Sequence, residues 1–154
     1  MRDVRDALEA LKDIVGAPAL EFDGIGRAEL IIEDQISIYL FRISDRDLEL
    51  AAYTTAIDRY VSFEQLQALL RLNAINKGLR EARFALDARG VPFLCQRVNV
   101  HLFDRGALDR LVLDFVKTVM TFRDADLTIA TDPGSPVRAD DLTKDGEGGS
   151  LIRV

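Results

Sequence analysis

Residues Ile36 to Ile43 read ISIYLFRI, and a strand built from them has no polar face. Alternation puts Ile36, Ile38 and Leu40 on one side and Tyr39, Phe41 and Ile43 on the other. A sheet with one wet face carries polar residues on that face. This strand therefore needs cover on both sides. The cover is either a second element of the same chain or a partner chain, and the pattern alone leaves both open.

The neighbouring runs share the strand period. Arg27 to Glu33 (RAELIIE) precedes the turn Glu33-Asp34-Gln35, and Asp47 to Ile57 (DLELAAYTTAI) follows the turn Ser44-Asp45-Arg46. Short polar turns between such runs predict an antiparallel meander. Ahead of it, Val4, Leu8, Leu11 and Val15 recur at helical spacing with charged residues between them, which predicts an amphipathic helix ended by Gly16 and Pro18. Asp23-Gly24-Ile25-Gly26 is read as a turn. It is not a dinucleotide loop, because Glu29 stands where a third glycine is required and no helix follows.

A second organising stretch runs from Ser62 to Val100. Ser62 and Gln65 form a capping box. The short helix after them is expected to carry Phe63, Leu66, Leu69, Leu70 and Asn73 on one side and to break at Asn73, Asn76 and Gly78. Glu81 to Ala88 then reads as a strand with Phe84 and Leu86 on one side. Arg89-Gly90 turns the chain, and Pro92 to Val100 returns. Asp104 caps a last helix with the stripe Leu108, Leu111, Val112, Phe115, Val116, Val119 and Phe122. From Thr131 the chain turns to Gly, Pro and acidic residues, so residues 1–130 are read as one domain and 131–154 as a flexible acidic tail.

The 154 residues suffice for a core without staples. A net charge of -6 disfavours nucleic acid and anionic lipid as partners. No run of about 18 apolar residues is present, so membrane insertion is not expected. A single cysteine, Cys95, forbids an internal disulfide and suits a reducing, cytoplasmic setting. With one histidine, His101, and one cysteine there is no zinc pattern. Cys95 lies in an apolar strand pattern, as an inert thiol does. A nucleophile elbow, a P-loop and a basic aromatic stripe are all missing. The expectation is a binding module, not an enzyme, with no cofactor.

The order helix, three strands, helix, two strands, helix resembles the class I chaperones of type III secretion, the Tir-chaperone-like (CesT) family. The segment that carries the likeness is Leu69-Leu70-Arg71-Leu72-Asn73, then Gly78, then Phe84-Ala85-Leu86-Asp87. The resemblance spans about Met1 to Leu127. It implies an α+β fold, an antiparallel twisted sheet with helices packed on it. It also implies a cytoplasmic homodimer that binds the N-terminal segment of a secreted effector and keeps it export-competent. Carried over residue by residue, the dimer contact falls on Phe63, Leu66, Leu70, Phe84 and Ala85. Effector binding falls on Leu8, Leu11, Ile31, Tyr39, Phe41 and Tyr53. The alternative reading is a non-catalytic sensory, regulatory or immunity-type binding domain of the same fold.

Overall fold

The computed structural model describes residues 1–32, 36–54, 61–75 and 78–123, except for the side chain of Ile75. The turn at Glu33-Asp34-Gln35, the third strand's extension to Ile57, the break at Asn76 and the 131–154 tail lie outside the described residues. Helix α1 (Val4–Val15) leads into strands β1 (Arg27–Ile32), β2 (Ile36–Arg42) and β3 (Asp47–Tyr53). Helix α2 (Phe63–Ile75) precedes β4 (Arg83–Leu86) and β5 (Pro92–Asn99), and after a 3-10 turn at Val100–Leu102 comes α3 (Arg105–Phe122). The fold is α+β, as expected.

Local chemistry sets the boundaries. The Asp3 carboxylate accepts from the N–H groups of Arg5 and Asp6, both at 2.9 Å, which caps α1. Gly16 closes that helix in the left-handed region at φ 64°. The box at α2 is formed as read: Ser62 N–H donates to Gln65 Oε1 at 2.8 Å, and Gln65 N–H donates to Ser62 Oγ at 3.2 Å. Asp104 caps α3 by accepting from Ala107 N–H at 2.7 Å. Gly90, at φ 79°, permits the tight turn between β4 and β5.

The five strands form one antiparallel sheet in the order β1-β2-β3-β5-β4. The meander of β1 to β3 is as expected. The last strand then enters beside β3, leaving β4 at the edge. Register places Ala28, Leu30, Ile38, Leu40, Leu48, Leu50, Ala52, Leu94, Val98 and Phe84 on the inner face. These residues are buried in one cluster with Val4, Ala7, Leu8 and Leu11 of α1, Leu69 and Leu72 of α2, and the stripe of α3 from Leu108 to Phe122. The inner face is thus covered by the chain's own helices.

The structure divides α2 more finely than the pattern did. Leu69 and Leu72 are buried, while Phe63 and Leu70 are 69% and 60% exposed and Leu66 is half-buried. Positions 63, 66 and 70 lie three and four apart, so they share a stripe of their own. Neighbouring residues 69 and 70 stand about 100° apart around the helix axis.

Candidate functional site: the outer sheet face and the outward stripe of α2

The outer face of the sheet carries Arg27, Glu29 and Ile31 on β1, Tyr39 and Phe41 on β2, and Glu49, Ala51 and Tyr53 on β3. It continues through Phe93, Cys95 and Arg97 on β5 to Arg83 and Ala85 on β4. Four of these residues form a row of rings. Tyr39 lies 6.5 Å from Phe41 and 6.2 Å from Tyr53, edge-on to the latter, and Tyr53 lies 6.0 Å from Phe93. All four are half-buried. Such contacts pre-organise an apolar surface, because aromatic side chains have few rotamers to lose.

Charge frames the row. Arg97 reaches Asp47 at 3.5 Å and Arg83 reaches Glu49 at 3.9 Å. Burial, helped by Glu29 on the neighbouring strand, raises the Tyr39 phenol above its ordinary value. At the β4–β5 end, Tyr53 donates its hydroxyl to Asp87 at 3.2 Å. Asp87 also accepts from the N–H groups of Val91 and Arg89 and from the Arg89 guanidinium. These bonds, that from Val91 first, lower its carboxyl to about 2. Cys95 lies beneath the row, 3% exposed, and burial pushes its thiol up, so it stays protonated at neutral pH. Among the described residues no cluster of three or more His, Cys, Asp or Glu is placed to hold a metal ion. No described helix is long and apolar enough to cross a membrane.

The six residues assigned to effector binding divide between the two faces. Ile31, Tyr39, Phe41 and Tyr53 come together on the outer face, and Ile31 is 58% exposed. Leu8 and Leu11 are buried at 5% and 0% in the inner-face core, so their side chains are not offered to a partner. The five dimer residues divide three ways. Phe63, Leu66 and Leu70 form the outward stripe of α2. Ala85 sits opposite Phe93 on the outer face. Phe84, assigned to the dimer contact, lies instead in the core of the chain: it is 6% exposed, and its ring stands edge-on to Phe122 at 5.3 Å. The strand period turns it inward, and α3 covers it.

One contributor, Phe93, is not singled out by the sequence, and another, Asn73, reads there only as a helix break and as part of the family-like segment. Phe93 completes the ring row, and its place became visible only once β5 paired with β3. Asn73 works by its side chain: Phe84 N–H donates to Oδ1 at 2.8 Å, and Nδ2 donates to Phe84 C=O at 2.9 Å. This amide satisfies the outward backbone groups of Phe84 as a neighbouring strand would at that one residue.

The described residues thus form an α+β sheet with its helices on one face, charged residues beside an aromatic row on the other and an asparagine clamp on the edge strand. A family model for the Tir chaperone protein (CesT) family matches residues 6–123, and the chain belongs to that family. A search of curated proteins finds no match. Among solved structures, the ExsC-ExsE complex aligns at 18% identity and TM-score 0.63, covering 78% of this chain and 90% of that one. The HopA1-SchA chaperone-effector complex aligns at 19% identity and TM-score 0.57, covering 79% and 98%. The Yersinia pestis type III secretion chaperone SycH, in complex with a stable fragment of YscM2, aligns at 18% identity and TM-score 0.54, covering 75% and 98%. At these identities the likeness is one of fold.

Proposed function

We propose that this chain is a type III secretion chaperone which, as a homodimer, holds the N-terminal segment of a secreted effector extended and export-competent. The carrying observation is the ring row Tyr39–Phe41–Tyr53–Phe93, left half-buried on the sheet face opposite all three described helices. Membership of a chaperone family and the chaperone complexes among the fold's neighbours support the reading. An extended segment can bury apolar side chains on the row, at about 25 cal/mol per Å². It can also bond to the backbone of β1, one of the sheet's two edge strands among the described residues. Ile31, with Arg27 and Glu29 on the same face, gives that edge an apolar contact among charges that discourage indiscriminate pairing.

The second surface, the outward stripe of α2, supports the homodimer: Phe63 and Leu70 are large apolar side chains exposed together on one helix. The chaperone reading needs no catalytic group and places the protein in the cytoplasm. Co-expression with the product of the neighbouring gene tests it. The expected outcome is a stable complex with that protein's N-terminal segment, most of whose amides exchange rapidly with solvent. A complex that instead protects a folded domain of the partner would favour the regulatory or immunity-type reading.

A further inference from the structure

A cleft of about 470 Å³ opens where the start of α1, the β2–β3 turn and the turn after β5 meet. Backbone hydrogen bonds knit these segments: Val4 N–H to Asp45 C=O at 2.9 Å, and Val100 N–H to Arg46 C=O at 2.8 Å. The Met1 ammonium donates to Phe103 C=O at 2.9 Å. The charged wall consists of Arg2, Arg5, Arg42 and Arg46 with Asp3 and Asp45. Four positive charges less two negative give +2, in a chain whose net charge is -6.

The wall's carboxylates are engaged. Asp3 caps α1, and Asp45 takes the Arg42 guanidinium, which holds its carboxyl below the usual range. Arg2 is drawn to Asp6. Arg5 and Arg46 make no ion pair among the described residues. A guanidinium fork matches a carboxylate in two parallel hydrogen bonds. The two aspartates on the wall would repel a compact, multiply charged phosphate. Single charges spaced along a chain fit the mixed wall better. Arg42 directly follows Phe41 in β2 and points to the opposite face, so a segment leaving the ring row reaches the cleft by passing round this end of the sheet.

We infer that this cleft binds an acidic stretch of the bound polypeptide, with Arg5 and Arg46 each taking a carboxylate. The inference rests on the peptide-binding reading above. The test uses the full chain and a fluorescent peptide of about ten residues alternating Glu and Ser, its Gln counterpart, and pyrophosphate. The Glu peptide is expected to bind, the Gln peptide to fail, and affinity to fall as salt rises from about 0.05 to 0.3 M. The double variant Arg5→Gln, Arg46→Gln should weaken binding about tenfold, from two exposed charge pairs. Circular dichroism checks its fold; should the double variant melt, the single variants are read instead. Equal binding of the two peptides, indifference to the substitutions, or tighter binding of pyrophosphate would overturn the inference. An effector complex that persists while the Glu peptide goes unbound removes this inference alone. Glu-peptide binding without any effector complex removes the chaperone reading instead.

Discussion

The Asn73 side chain satisfies both backbone groups of Phe84, at 2.8 and 2.9 Å, and so ties the end of α2 to the edge strand β4. Asn73→Leu leaves a donor and an acceptor without partners in a part-buried site. The expected loss is ~1–3 kcal/mol, read as a lower urea midpoint with an unchanged slope. Asn73→Asp keeps the acceptor but not the donor and should also destabilise. A midpoint equal to wild type in both variants would show that water replaces the clamp at no cost.

Phe84 and Leu70 should respond in opposite ways to substitution. Phe84→Ala empties a core position against Phe122, with an expected cost of ~3–5 kcal/mol in stability. Leu70→Glu, on an exposed stripe, should leave the melting temperature of the folded chain nearly unchanged and shift the dimer toward monomer by about tenfold or more. Light scattering over a concentration series separates the effects. A Leu70→Glu dimer as tight as wild type places the interface elsewhere.

On the outer face, Tyr39→Ser combined with Phe41→Ser should weaken effector-segment binding by about tenfold or more. Because both rings are only half-buried, stability should fall by no more than about 1–2 kcal/mol. Calorimetric titration with the segment, beside a thermal melt, gives both numbers. Unchanged affinity would mean that the segment lies elsewhere.

Asp87 gives a pH signature. Its folded carboxyl titrates at about 2, below the ordinary 3.8. Its stabilising effect is therefore complete above the unfolded value and is lost as pH falls toward the folded one. The melting temperatures of wild type and Asp87→Asn should differ most near neutral pH and converge between about pH 4 and 2. A gap that stays constant across that window would assign the difference to something other than the charge.

Much of this fold was legible because its signals are local. The caps at Ser62 and Asp104, the stop at Gly16 and the turn at Gly90 each follow from a residue and its near neighbours. The alternation of Ile36 to Phe41 correctly separated an inner aliphatic face from an outer aromatic one. Burial of individual side chains was less legible, because it depends on what packs across the sheet. Phe84 looked available for a partner until α3 was seen to bring Phe122 over it. Leu69 and Leu70 looked alike until α2 was set against the core. Phe93 could join Tyr53 only through a pairing between strands 40 positions apart, from Tyr53 to Phe93, which no local pattern encodes.

That pairing has a consequence for synthesis. From Asp47↔Asn99 to Tyr53↔Phe93, β3 must wait for residues 40 to 52 positions later before its second edge is closed. At ribosomal rates of about 5–20 residues per second the wait lasts roughly 2–10 s. During that time the strand that carries Tyr53 has an open row of backbone donors and acceptors. A chain that belongs to a chaperone family thus has its own interval of exposure, ended when β5 slots in between β3 and β4.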